Sequence, residues 1–225
     1  MKNYGADIIR RLLYFGITAV LAMSLTGCGD GDSHNIFFAE ILSDQLADGD
    51  IAYDPVRDLY IITNGPDTLF FGINEADRNL PEFRAFLDFP LDGSTDGDVV
   101  PVNAEILRAT LEVFIDEVSF AGTIPTLLDL VPFPITGLTS ADFDSSPLRF
   151  PNGSFASLSF DFFSSDKGFS VLIDVTSLMR EVQRRELSDF QVRFLLDLDS
   201  DFGLVEIEDR PNVTMTAPRL TVKFR

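Results

Sequence analysis

Apolar and polar residues alternate with a period of two along several separate stretches of this chain. In the clearest stretch, Leu111 and Val113 alternate with Thr110 and Glu112. The alternating stretches are 108–116, 157–162, 169–175, 190–198 and 220–225. Because successive side chains of a β-strand point to opposite faces, each stretch predicts a strand with one buried face and one face in water. In the fourth stretch, this pattern places Gln191 and Arg193 on the water side.

Turn-forming residues separate the predicted strands. Combinations of glycine, proline, asparagine and aspartate recur at 64–67, 92–94, 151–153, 166–168 and 201–203. Many short strands divided by such turns are typical of a sandwich or a barrel. The sequence therefore predicts an all-β fold, a jelly-roll-like antiparallel β-sandwich.

One segment has a helical period instead. Leu178, Met179, Val182 and Leu187 recur at roughly helical spacing, and Thr176 or Ser177 is suited to be the N-cap. We therefore expect one short amphipathic helix across an end of the sandwich.

The segment 123–147 is irregular and contains four prolines. Proline cannot donate a backbone hydrogen bond, so it is mostly found in edge strands and loops. We interpret this segment as a long crossover with a short strand near Leu127–Leu130.

The N-terminus resembles that of bacterial lipoproteins. Basic residues precede a short apolar run, which is typical of a secretory signal peptide. Then follows Leu25-Thr26-Gly27-Cys28, which resembles the lipobox and contains the single cysteine of the chain. The resemblance implies lipid attachment at Cys28 and, with Gly29 after it, an outer-membrane location. The expected organisation is a signal peptide at 1–27, a lipidated N-terminus and spacer at 28–43, and a β-sandwich at 44–225.

The order of the strand motifs is similar to that of the DNRLRE domain. The motifs are Arg84-Ala85-Phe86-Leu87-Asp88-Phe89, Arg108-Ala109-Thr110-Leu111-Glu112-Val113, Asp174-Val175-Thr176 and Ala217-Pro218-Arg219-Leu220-Thr221-Val222. They span most of the segment 44–225. The resemblance implies a β-sandwich classed among carbohydrate-binding modules.

Composition narrows the possible functions. The chain has 36 acidic and 17 basic residues, a net charge of −19, which disfavours binding to nucleic acid or to anionic lipid surfaces. Its single histidine, His34, lies in the spacer, and its single cysteine is the expected lipidation site. Catalytic triads and zinc sites of the usual type are therefore not expected, and no enzymatic activity is predicted.

Two binding functions remain open, a scaffold that binds envelope proteins and a module that binds polysaccharide. Sugar platforms are built from aromatic rings with a polar edge, and this chain has no tryptophan. After the signal peptide only Tyr53 and Tyr60 have such rings, so they are the candidate glycan-binding residues. Since aromatic residues of this kind are so few, we favour the scaffold and keep polysaccharide binding as the alternative.

Calcium is the one cofactor that the sequence suggests. Asp197, Asp199 and Asp201, with Glu208 further on, partly match an acidic calcium-binding loop. Phe202 occupies the position where that loop needs glycine, and a charged hairpin tip explains the same residues. Asp92, Asp96 and Asp98 form a second, weaker acidic candidate.

Overall fold

The computed structural model describes residues 35–95, 97–197, 202–210 and 215–225. The strands are β1 (Phe37–Leu42), β2 (Gly49–Asp54), β3 (Leu59–Asn64), β4 (Thr68–Ile73), β5 (Glu82–Pro90), β6 (Ile106–Ser119), β7 (Thr123–Leu130), β8 (Ser157–Phe163), β9 (Phe169–Asp174), β10 (Asp189–Leu196), β11 (Leu204–Glu208) and β12 (Arg219–Phe224). The helices are α1 (Ser140–Phe143) and α2 (Thr176–Arg184), with a 3₁₀ turn at Ser164–Asp166. The chain is thus almost entirely β, as the alternation predicts.

The strands form one curled antiparallel sheet in the order β1-β12-β6-β11-β4-β5-β10-β7-β8. Strand β2 pairs with β5 and β3, and β9 pairs with β6. The sheet turns over at β5, where Phe83 pairs with β4 while the stretch from Ala85 to Pro90 pairs with β10. This curling encloses the core between two layers, so the predicted antiparallel β-sandwich is confirmed.

The main core lies between these two layers and is built from the inward strand positions. Leu111 and Val113 of β6 are fully buried, as are Phe190 and Phe194 of β10. The rings of Phe71, Phe162 and Phe194 contact one another with centroids 5.4 to 6.4 Å apart. The predicted inward faces of these strands are therefore confirmed.

Helix α2 closes one end of the main core. Leu178, Met179 and Val182 are fully buried, and Leu187 packs against the core beyond the end of the helix. The helix begins at Thr176 with Val175 as N-cap, so neither Thr176 nor Ser177 is the cap. The Thr176 hydroxyl instead accepts a hydrogen bond from Ala109 N–H of β6 at 3.0 Å, which fixes the helix to the sheet.

A second, smaller core lies on the opposite face of β5 and β10. Its buried members are Ile51, Phe86, Val131, Phe133, Leu138 and Phe143, and Tyr53 and Tyr60 pack against it. Residues 131–143 supply most of these side chains and cover the outer face of β10. The expectation that Gln191 and Arg193 face water is therefore wrong, because this loop buries both.

Strand β7 extends further than the predicted short strand, and it includes Pro125. The Pro125 carbonyl accepts the N–H of Asp197, just past the end of β10, while β8 pairs along the other edge. The N–H and C=O of one residue point to the same side of an antiparallel strand, so the N–H that Pro125 lacks would face Asp197, just past the end of β10. The proline therefore removes one hydrogen bond at the end of the β7–β10 ladder and leaves the pairing of β7 with β8 intact.

Strand β1 lies within the segment 28–43 that the sequence suggests is a spacer. Its six residues pair with β12, from Phe37 opposite Phe224 to Leu42 opposite Arg219. The compact unit therefore begins at Ile36 rather than at residue 44.

Candidate functional site

Several predicted site residues lie outside the described part of the chain. They are Cys28, the predicted lipidation site, Asp199 and Asp201 of the predicted calcium loop, and Asp96 of the second acidic loop. Asp197 is described, directly after β10, where its carboxylate accepts a long hydrogen bond of 3.4 Å from the Ser159 hydroxyl. Among the described residues, no three histidine, cysteine or acidic side chains are arranged to hold a metal ion. Lipidation and calcium binding therefore remain predictions.

The structure brings Tyr53 and Tyr60 together as a cross-strand pair of the β2–β3 hairpin. Their ring centroids are 4.9 Å apart with the planes tilted by 33°, and both rings contact Phe143. The Tyr53 hydroxyl donates to Asp58 at 3.1 Å, and this hydrogen bond raises the pKa of the phenol. Both tyrosines are half-buried, so they close one side of the second core and expose only part of each ring.

Two buried arginines fix the position of Phe143, against which both tyrosine rings pack. The Arg84 guanidinium lies 3.8 Å from the centre of the Phe143 ring and donates to the Phe143 carbonyl. Arg193 donates to the same carbonyl at 2.7 Å and forms a buried ion pair with Asp129, also at 2.7 Å. Since α1 has only four residues, these contacts, rather than helical hydrogen bonds, hold Phe143 against the tyrosines.

Strand β3 exposes an apolar surface that the alternation does not reveal. It pairs only with β2 among the described strands, so it is an edge of the sheet. Leu59, Ile61 and Ile62 expose 48%, 52% and 36% of their surface. The stretch Leu59–Asn64 contains no charge, whereas the other edge strands each contain an acidic residue, namely Glu40 of β1, Asp161 of β8 and Asp174 of β9. The only signal for it in the sequence is an unbroken run of apolar and β-branched residues.

Two buried aspartates meet where β2 begins and β11 ends. Asp48 and Asp209 are almost fully buried, and their carboxyls lie within hydrogen-bonding distance of each other. Ser43 donates to Asp209 at 3.1 Å, and Asp88 N–H donates to Asp48 at 2.6 Å. The remaining oxygen of each carboxyl has no donor, so one proton shared between the two carboxyls satisfies both.

This burial changes the acidity of the pair. Desolvation is the main cause that raises the pKa of Asp209 to about 7, and the nearby charges of Asp67 and Asp44 raise it further. Desolvation and the charge of Asp209 also raise the pKa of Asp48 well above its ordinary value. The pair is therefore suited to hold a proton near neutral pH, and its surroundings are a packed junction rather than a cleft.

Comparison with protein-family models gives no match, and comparison with curated proteins gives none either. The resemblance to the DNRLRE domain therefore remains a prediction based on the four motifs. Across the described residues, no helix combines the length and apolar character that a membrane span requires.

Proposed function

We propose that this chain is a non-catalytic lipoprotein of the cell envelope that binds another protein through strand β3. The observation that carries the proposal is the uncharged, exposed apolar edge formed by Leu59–Asn64. The signal peptide and the Leu25–Cys28 motif support the anchor, which is lipid on Cys28 in the outer membrane. Two or more acyl chains give stable membrane attachment, whereas one chain gives only marginal attachment.

An open edge strand offers a row of unpaired backbone groups to a partner. Extended peptides bind such edges by adding a strand, and alternate side chains of the edge then contact alternate side chains of the peptide. Proteins usually block open edges with charge or proline, because unprotected edges aggregate. The stretch Leu59–Asn64 has neither, which favours a surface that is covered when the protein functions.

Charge indicates which kind of partner fits. The chain has a net charge of −19, and Asp58 directly precedes the exposed edge. A second copy of the chain would meet the same negative charge, whereas a basic segment would be attracted. The partner that fits best is an extended segment of another envelope protein with apolar residues flanked by lysine or arginine.

Site-specific photo-crosslinking in the native cells tests this proposal. A photoreactive amino acid at Ile61 should give one discrete adduct with a partner protein, because this side chain lies on the open edge. The same amino acid at Val102, which is similarly exposed at 59% but lies far from β3 in sequence, is the matched control and should give no such adduct.

A second substitution makes the crosslinking result specific. Ile62→Lys places a charge on the edge strand, and the Ile61 adduct should then be lost while the melting temperature stays within a few degrees. An adduct that forms equally at Val102, or that persists with Ile62→Lys, would show that β3 is not the binding surface.

Polysaccharide binding through Tyr53 and Tyr60 is the second candidate function. The observation that favours it is that the two rings are adjacent and partly exposed, and that Asp58 lies beside them as the acceptor of the Tyr53 hydroxyl. Tyr60→Ala should then abolish retention on one defined polysaccharide, and Ile62→Lys should leave that retention intact. The tilt between the two rings favours this function less than a flat platform would.

A further inference from the structure

Four polar side chains form a compact block on the outer face of the sheet, where β12 meets β6. Lys223 lies directly opposite Arg108, and Thr221 lies directly opposite Thr110. The two pairs are two residues apart along the strands, so all four side chains point to the same face. Directly opposed residues in an antiparallel pair are about 5 Å apart, which places the two positive charges side by side.

Among the described residues, the two cations of this block lack the close carboxylate partners that Arg184 and Arg219 have. Within the part that the structure describes, the side chains of Arg108 and Lys223 form no ion pair and donate no hydrogen bond, and the two threonine hydroxyls donate none either. The next cation along β12 behaves differently, because Arg219 donates to Glu112 at 2.6 Å and also lies near Glu40. In a chain with 36 acidic residues, two adjacent unpaired cations are unexpected, and like charges in this position repel.

The two acidic side chains that flank the threonine pair have partners of their own. Glu40 of β1 lies opposite Thr221 and 3.8 Å from Arg219. Asp174 of β9 lies opposite Thr110, and its carboxylate accepts two hydrogen bonds from Thr176, at 2.6 Å and 3.0 Å. These bonds and, to a smaller extent, the charges of Arg108 and Arg180 lower the pKa of Asp174. Asp174 therefore stabilises the start of α2 and interacts with Arg108 through its charge alone, so neither cation of the block has a hydrogen-bonded carboxylate among the described residues.

Two apolar side chains form the walls beside the block. Phe38 of β1 lies opposite Lys223, whose ammonium is 5.5 Å from the centre of the ring, and Leu172 lies on β9 on the other side. Phe38 exposes 64% of its surface and Leu172 exposes 66%. Together with the four polar residues they line an open groove of about 430 Å³, a size typical of small-molecule sites.

We propose that this groove, formed by Phe38, Arg108, Thr110, Leu172, Thr221 and Lys223, binds one small organic acid. The carboxylate lies between Arg108 and Lys223 and removes their mutual repulsion. The two threonine hydroxyls donate to its oxygens or to a neighbouring acceptor, and the apolar body lies between Phe38 and Leu172. This site is separate from β3 and does not depend on the proposed partner protein.

Three small molecules test the proposal on the full chain in detergent micelles. The measurement is the change in the NMR signals of the backbone amides. Benzoate has both a carboxylate and an apolar ring, benzyl alcohol has the ring alone, and inorganic phosphate has the charge alone. Benzoate should shift the amides of Arg108 and Thr221 saturably with a Kd of about 1 mM, as expected for a ligand of this size. The other two probes should bind at least tenfold more weakly.

Variants locate the site. Arg108→Gln combined with Lys223→Gln should raise the benzoate Kd at least tenfold without lowering the melting temperature, since the substitutions remove a repulsion. Leu172→Ser should weaken benzoate and leave phosphate unchanged, while Arg78→Gln, an exposed cation elsewhere, should change neither. Equal binding of benzoate and either partial probe, or unchanged binding in the double variant, would overturn the proposal.

Discussion

At the scale of single residues, Gln191 shows how one side chain joins the sheet to the loop that covers it. Its amide nitrogen donates to the Phe133 carbonyl and its amide oxygen accepts the Phe133 N–H, both at 3.0 Å. Phe133 lies in the part of the segment 131–143 that precedes α1, where no strand pairs with these backbone groups. A buried backbone group without a hydrogen-bond partner is costly. The Gln191 side chain therefore supplies the partners for Phe133 that the sheet does not supply.

Replacing this glutamine with an apolar residue of similar volume measures how much the two hydrogen bonds contribute to the free energy of unfolding. Gln191→Met should lower the free energy of unfolding by about 1–3 kcal/mol, because Phe133 N–H and C=O lose their partners while the packing is kept. Urea denaturation is the measurement. Ser177→Ala, at an exposed position of α2, is the control and should change stability by less than about 0.5 kcal/mol. An equal, small effect of both substitutions would mean that water replaces the glutamine.

At the scale of elements, the buried carboxyl pair joins three parts of the chain that are distant in sequence. Asp48 precedes β2, Asp209 follows β11, and Asp88 of β5 donates its N–H to Asp48. Gln45 strengthens the same junction by donating to the carbonyls of Asp209 and Pro66. The two carboxyls satisfy each other only when one of them is protonated, so the stability of this junction depends on pH.

The direction of that dependence follows from the raised pKa values. A carboxyl with a pKa of 3.8 when unfolded and about 7 when folded binds its proton more tightly in the folded state. Its contribution to stability is complete below about pH 4 and is lost as the pH rises to about 7. One such proton gives a slope of about 1.4 kcal/mol per pH unit in this interval. Asp50 and Asp88, whose pKa values burial raises to about 6 and about 7, add to the same trend.

Asp209→Asn should reduce this slope, because asparagine keeps the hydrogen bond from Ser43 and donates to Asp48 without a titratable proton. We expect the wild-type unfolding free energy to fall between pH 5 and pH 7, and to fall less steeply in the variant. Urea denaturation at pH 5, 6, 7 and 8 measures both slopes. Asp161→Asn, at an exposed position of β8, should leave the slope unchanged. Parallel curves for all three proteins would contradict a shared proton at this junction.

At the scale of the whole molecule, the charges of the described surface are unevenly distributed. The chain has a net charge of −19, yet Arg108 and Lys223 form a local positive site on the outer face of the sheet. The open edge β3 lies in a different part of the fold and contains no charge. One acidic domain can therefore present surfaces of different chemistry, as expected of a protein that binds more than one molecule.

The proposed anchor gives a prediction for the complete chain. Cys28→Ser should abolish incorporation of a labelled fatty acid and release the protein from the membrane fraction, because the sequence contains no other cysteine. Metabolic labelling with fractionation is the measurement, and Ser33→Ala, five residues further on, is the control that should leave labelling intact. Continued labelling of the Cys28→Ser protein would exclude the lipobox interpretation.

The sequence by itself determined the fold class, most strand faces and the position of helix α2. These depend on residues close together in the chain, since the spacing of apolar side chains decides between strand and helix. Tertiary structure decided which strands are neighbours. Only strand pairing brings Arg108 beside Lys223 and Tyr53 beside Tyr60, and only the folding of residues 131–143 over β10 buries Gln191. Contacts between residues far apart in the chain produce no periodic pattern in the sequence. The open edge of β3 and the organic-acid groove therefore depend on the order of the strands in the sheet.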